Sequence, residues 1–239
     1  MLLEMINRQV KKVLPAALCV SAGLFVHEAA AQATGSAKSH EWEVKIPVTA
    51  FVKIDTLSGK NSDNYYSIQK EAAGEPFIHA HYLPPGGPTR LGCRLSDTLT
   101  DATTITWQWR VHLPPQGADE RVAKKNDSGA AIYLLFKNGF QTQIIKYVFS
   151  TQLPQGTVMR KDPLYPFQRM YVVVSDSWNE KEKDVWKKVT VNIKEDFMRL
   201  YGTKTCPPVL GIGIMSDGDE TKSEVIADYG RFTLSGTKN

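Results

Sequence analysis

The chain has 239 residues, with 29 Lys and Arg against 25 Asp and Glu and a formal net charge of +4. That balance, with no long basic block, excludes a dedicated nucleic-acid binder. The length allows one sizeable hydrophobic core, and beyond the first 31 residues no segment is long and apolar enough to cross a bilayer.

Residues 1–31 read as an export signal. Arg8, Lys11 and Lys12 precede a mostly apolar run from Val13 to Val26. That run has the length of a signal-peptide core and falls short of the roughly twenty residues that span a bilayer. Ala29-Ala30-Ala31 offers a cleavage site that would leave Gln32 as the first mature residue. Cys19 follows Leu18, where a lipoprotein signal needs a small residue, so no lipid anchor is expected. The expectation is a periplasmic or secreted protein with a mature charge near +3. Residues 32–40 are small and polar and read as a flexible tail, followed by a single domain over 41–239.

From Trp42 onward the chain is a series of short β-type runs. They fall at roughly 42–54, 65–70, 76–83, 89–96, 104–112, 129–137, 142–150, 169–175, 185–193, 209–216 and 225–235. Turn material separates them, such as Pro84-Pro-Gly-Gly-Pro88 and Pro114-Pro-Gln-Gly117. One helix is predicted over 193–201, with Gly202 as its C-cap and Pro207-Pro208 barring continuation. This pattern predicts an all-β fold: a two-sheet antiparallel sandwich of jelly-roll or lectin-like type with one short helix.

Alternation assigns faces. Ile105, Trp107, Trp109 and Val111 share one side and suit the core; Thr106, Gln108, Arg110 and His112 share the other. The run from Ala131 to Phe136 is apolar on both sides, which marks a central strand. Gly211 and Gly213 share a side on which something bulky could approach closely. Once Cys19 leaves with the leader, Cys93 and Cys206 remain, and in an oxidising compartment they could pair.

In combination and order, several pieces resemble one protein family. They are Trp107-Gln-Trp-Arg-Val111, Asp127 with Ala130-Ala-Ile-Tyr-Leu-Leu-Phe136, Lys146-Tyr-Val148, Glu195-Asp-Phe-Met-Arg-Leu-Tyr-Gly202, Met215-Ser-Asp-Gly-Asp219 and Asp228-Tyr-Gly230. Over roughly residues 64–235 the chain resembles the family known as domain of unknown function 3047. The resemblance implies an exported bacterial protein with a sandwich akin to sugar-binding modules; it implies no activity. Three positions depart from the family pattern: where two adjacent acidic residues are usual the chain has Asn126-Asp127. Ala131 stands where an Arg is usual, and Phe149 where a Trp is usual. Arg110 and Arg169 remain as cationic candidates.

Several constellations could carry chemistry. Asp217, Asp219 and Glu220 lie on a Gly-containing turn and could hold Ca²⁺, but an ordinary solvated turn is the default reading and no cofactor is assigned. Asp217, Asp219 and Asp228 could instead orient sugar hydroxyls or pair with Arg110. Asp127 and Asp217 are the acids on which a glycan hydrolase or lyase would rely, provided they face each other across a cleft. His79 and His81 alternate on one strand and share a face without a visible third metal ligand. Among the rings, Trp178, beside a charged run, is expected to be the most exposed. The reading is a binder of a glycan or envelope polysaccharide that uses Gln108, Arg110, Tyr133, Tyr147, Arg169, Asp217 and Asp228 on one sheet face. A glycan-active enzyme and a structural or protein-interaction module of the envelope are the alternatives. Neither the oligomeric state nor the ligand follows from the sequence.

Overall fold

The computed structural model describes residues 40–54, 64–97, 99–139, 141–161 and 168–238. The expected signal peptide, and all of the expected tail except His40, lie outside them. The described residues form two packed sheets and one α-helix. The first sheet contains β1 (His40–Ile46), β3 (Tyr66–Lys70), β4 (Pro76–Tyr82), β6 (Thr104–Leu113), β11 (Lys187–Asn192) and β13 (Val225–Lys238), in the order β11-β6-β13-β4-β3. Strand β13 is long enough to pair with β4 through Val225–Tyr229 and then with β1 through Phe232–Lys238. The second sheet runs β2 (Val52–Ile54), β5 (Arg90–Arg94), β12 (Val209–Met215), β7 (Ala130–Asn138), β8 (Gln141–Ser150), β10 (Gln168–Ser177), β9 (Val158–Lys161).

Three details differ from the sequence reading. The run 42–54 is two strands in different sheets, broken at Pro47, whose ring cannot donate to a ladder. Strand β9 was not anticipated. The second sheet is mixed, because β10 lies parallel to β8; alternation within a strand carries no information about its partner's direction.

The core lies between the sheets. Trp107 and Trp109 are fully buried on β6, edge to face with ring centroids 5.3 Å apart. They pack on Tyr147 and Phe149 of β8 at 5.5 and 5.9 Å. On β7, Ile132, Leu134 and Phe136 join this core. Ala131, Tyr133 and Leu135 point to the other side and are buried in a second cluster with Ile144, Val172 and Met215.

The helix α1 (Ile193–Tyr201) closes one end of the sandwich. Its buried residues, Ile193, Phe197 and Leu200, recur at helical spacing, and the Phe197 ring packs tilted against Phe136 with centroids 4.6 Å apart. Asn192 caps the N-terminus by accepting the Glu195 N–H at 3.1 Å, and Gly202 ends the helix with φ 66°. Asn192→Ala should therefore cost about 1 kcal/mol of unfolding free energy, and Asn192→Asp much less, as measured by urea denaturation.

Candidate functional site

Because Trp107 and Trp109 point inward, Thr104, Thr106, Gln108, Arg110 and His112 are set on the outer face of the first sheet. The neighbouring strands add Asp228 and Thr233 from β13, His79 and His81 from β4, Lys188 from β11 and Lys45 from β1. A furrow of about 410 Å³ opens where β13 passes from β4 to β1. Its walls include Glu43, Lys45, Glu75, Thr106, Gln108, Lys188, Arg231 and Thr233. A bulge between Gly230 and Thr233 shapes it, with Arg231 in the left-handed region at φ 56°. The Arg231 guanidinium donates to Glu75 Oε2 at 2.7 Å and also to Gln108 Oε1. A second hollow of about 400 Å³ shares Glu43 and is lined by Glu41, Trp42, Thr104, Ser235 and Thr237.

Arg110 is not the open recognition group expected from alternation. Its Nε donates to Asp228 Oδ2 at 2.6 Å, and its terminal nitrogen reaches Glu71 Oε1 at 2.9 Å. The guanidinium lies over the rings of Trp186 (4.6 Å) and Phe77 (5.1 Å), leaving the side chain 17% exposed. Asp228 is buried and accepts from three groups: Arg110, His79 Nδ1 at 2.7 Å and His112 Nε2 at 2.8 Å. Burial pushes its carboxyl up, but the bonds from His112, Arg110 and His79 outweigh this and hold it below the usual range. His112 also meets Asp184 Oδ1 through Nδ1 at 2.5 Å. The bonds to Asp228 and Asp184 raise its pKa against the opposing effect of burial.

A second polar cluster forms where β12 ends and β7 begins. These strands are antiparallel neighbours, with Met215 opposite Ala131, so Asp127 meets the Asp217–Glu220 turn. One carboxylate oxygen each from Asp127, Asp217, Asp219 and Glu220 lies within 4.8 Å of the others. Gly218 is required there, since a Cβ would sit 2.2 Å from the Ser223 carbonyl oxygen. Asp127 accepts from the Thr221 N–H at 2.7 Å and its hydroxyl at 2.6 Å; Asp217 accepts from the Ser128 N–H at 3.1 Å. Burial, opposed by Lys146 and aided by Asp127, pushes the Asp217 carboxyl up to about 7. Burial, then hydrogen bonds to Asp127 and Asp219 and their negative charges, also raise Glu220. Lys146 is sealed beside them, its Nζ 3.4 Å from Ser128 Oγ and 5.5 Å from the Tyr133 ring centroid. Buried Glu120 accepts from Ser128 and from Ser150 at 3.2 and 2.6 Å.

These oxygens are of the kind that a hard cation takes, with Asp127 added to the three foreseen. Asp127 and Asp217 do come together, but both are buried, so they do not flank a cleft in which a glycosidic bond could lie. Lys146 and Glu120 were missed. A lone lysine among the apolar residues of β8 was the available signal; Glu120, in a loop, offered none.

The seven residues expected on one face do not share one. Gln108, Arg110 and Asp228 share the outer face of the first sheet. Tyr133 and Asp217 lie on the far side of the second sheet, and Arg169 is exposed on β10. Tyr147 is buried between the sheets, where its hydroxyl donates to Asp196 Oδ2 at 2.8 Å. Cys93 and Cys206 are free thiols, each pushed up to about 11 by burial. Trp178 is half-buried against Phe149 rather than exposed.

A sequence profile of one family, described as protein of unknown function (DUF3047), matches residues 52–233. The chain belongs to the DUF3047 family. No curated protein matches it. In outline this DUF3047 sandwich is similar to the xyloglucanase domain of NopAA, a type three effector from Sinorhizobium fredii, solved in complex with cellobiose. That pair has 8% identity and a TM-score of 0.46, over 82% of this chain and 97% of the other. The K2 cleaved adhesin domain of Lys-gingipain (Kgp) aligns at 8% identity and a TM-score of 0.38, over 82% and 99%. CsCBM6-3 from Clostridium stercorarium, in complex with cellobiose, aligns at 11% and 0.30, over 78% and 94%.

The raised Asp217 pKa makes this DUF3047 protein pH-sensitive in a definite direction. A carboxyl whose folded pKa lies above its unfolded value adds stability below about pH 4 and loses it as pH rises toward 7. Asp217→Asn keeps an acceptor for Ser128 and removes the charge. Its stability relative to wild type should climb between pH 4 and 7 and level off above, by on the order of 4 kcal/mol in denaturant titrations at each pH. A pH-independent difference would contradict the assignment.

Proposed function

We propose that this protein is exported and binds a glycan or envelope polysaccharide along the furrow of the first sheet, without catalysing its cleavage. The basic n-region, short apolar run and A-x-A site of residues 1–31 support export. The furrow itself carries the binding reading. Two hollows of about 410 and 400 Å³ share Glu43 and run along β1, β13 and β6. Each has the volume of a small-ligand site, roughly 300–1,000 Å³.

Its chemistry suits a polyhydroxylated chain. A sugar hydroxyl both donates and accepts, so it is matched by a wall that offers both. Thr106, Thr233 and Gln108 supply neutral groups that do so. Lys45, Lys188 and Arg231 donate, and Glu43 and Glu75 accept. The signs of charge are mixed, which favours a neutral or weakly charged ligand over a polyanion. Most of these groups stand on paired strands, which hold them in place before the ligand arrives.

The proposal predicts retardation of the native protein in affinity gels containing neutral or mixed cell-envelope polysaccharides. Gln108→Ala combined with Lys188→Ala touches only half-buried or exposed side chains. It should lower the affinity at least about tenfold, equivalent to 1.4 kcal/mol, with an unchanged melting temperature. Retardation equal for wild type and double variant, or absent on every polysaccharide, would rule the furrow out.

A further inference from the structure

The outer face of the first sheet carries a second group of side chains, beyond the furrow, that glycan binding leaves unused. We propose that His79, His112 and Asp228 form a transition-metal site that takes one divalent ion of the zinc class. The fold assembles it from three adjacent strands. Strand β13 lies between β4 and β6, and Asp228 is directly opposite both His79 and Arg110. His79 Nδ1 is 2.7 Å from Asp228 Oδ1, and His112 Nε2 is 2.8 Å from Oδ2. One ligand atom from each of the three residues lies within 4.8 Å of the others. Zinc with bonds of about 2.0–2.2 Å holds tetrahedral ligand atoms roughly 3.3 Å apart, so binding requires each imidazole–carboxylate contact, now 2.7 and 2.8 Å, to lengthen by about half an ångström.

Surrounding groups match what such a site needs. A metal-bound imidazole usually donates its other N–H to a carboxylate, which fixes the ring. His112 has that partner, with Nδ1 2.5 Å from Asp184 Oδ1 and Nε2 turned inward to the cluster. Arg110 fixes the Asp228 carboxylate in the same manner through Nε. The charges also fit. Asp228, Asp184 and Glu71 bring three negative charges and Arg110 one positive, so with neutral imidazoles the group carries a net charge of −2 that a divalent ion cancels. The His79 and His112 side chains are 23% and 24% exposed, which gives an ion a way in and leaves a fourth coordination position facing solvent. Two imidazoles with one carboxylate select Zn²⁺, Cu²⁺ or Ni²⁺ over Ca²⁺ or Mg²⁺. His81, the other histidine on β4, is held by Glu224 at 2.6 Å and stays outside the set.

The test uses the whole protein, freed of metal with a chelator. Calorimetric titration with Zn²⁺ near pH 7.5 should give one site of micromolar affinity or tighter. Loading wild type with Co²⁺ should produce the visible ligand-field band of a four-coordinate site that contains nitrogen. His79→Ala and His112→Ala should each lose at least tenfold in Zn²⁺ affinity. Asp184→Asn, which touches no metal, should lose roughly 10- to 100-fold. His81→Ala should bind as wild type does. Absence of both the heat and the Co²⁺ band in wild type would overturn the proposal, as would full affinity in folded His79→Ala and His112→Ala proteins. The Co²⁺ spectrum depends on no variant, so it decides the matter even where a substitution unfolds the chain. Polysaccharide retardation is a separate readout, so failure of the metal site and failure of the furrow remain distinguishable.

Discussion

The packing of Trp107 and Trp109 against Tyr147 and Phe149 fixes the phase of β6, and most of the candidate surface depends on that phase. A one-residue slip in a strand exchanges its two faces. It would put two indoles into water and Arg110 and Gln108 into the inter-sheet core. The energies explain why the observed phase wins. An aromatic side chain buries 150–250 Å², worth roughly 4–6 kcal/mol at about 25 cal/mol per Å². Both indole N–H groups are without a hydrogen-bond partner among the described residues, at about 1–3 kcal/mol each. The apolar gain exceeds that cost, so the rings stay inside and their polar neighbours stay out.

Once on the surface, the charges are not left loose. Arg110 is held by two carboxylates and two rings, and Asp228 by three donors. On the other sheet the solution is different. There the carboxyls of Asp217 and Glu220 are raised and Lys146 lies alongside, so protons and one ammonium offset the crowded carboxylates. The first cluster holds its buried carboxylate with fixed guanidinium and imidazole donors, and its histidines are partly open to solvent. The second is sealed, and its acids relieve their repulsion by staying partly protonated. This contrast favours the first sheet as the surface that meets other molecules.

Period two was enough to place Trp107 inside and Gln108 outside, and the helix over 193–201 was legible from its spacing and its glycine stop. The identity of the sheet was not legible. Alternation states which side of its own strand a residue occupies, and says nothing about whether that side faces core or solvent in a strand apolar on both sides. Tyr133 and Tyr147 illustrate this: both were set beside Arg110, yet one lies beyond the second sheet and the other between the two. Pairings were equally hidden. His79 and His112 come within 6.3 Å, ring centre to ring centre, only because β13 inserts between their strands. Asp127 meets Asp217 only because β7 and β12 run antiparallel. These are long-range consequences of topology, and no local pattern in the chain encodes them.

Trp186 links the two regions of the first sheet's outer face. The Arg110 and Arg231 guanidinium carbons both lie over its ring, at 4.6 and 5.4 Å. Its indole N–H donates to Glu71, the same carboxylate that pairs with Arg110. Arg110 reaches from there to Asp228 and the histidines, whereas Arg231 reaches to Gln108 and Glu75 in the furrow. One ring is therefore a shared wall for the imidazole cluster and for the furrow. Guanidinium groups are weakly hydrated and stack well on aromatic faces, so the contact keeps both arginines in place without an extra counter-charge. The orientation of Arg231 in the furrow and the orientation of the buried aspartate's partner Arg110 are thus set by the same side chain. The two regions are better regarded as adjoining parts of one organised surface than as separate features.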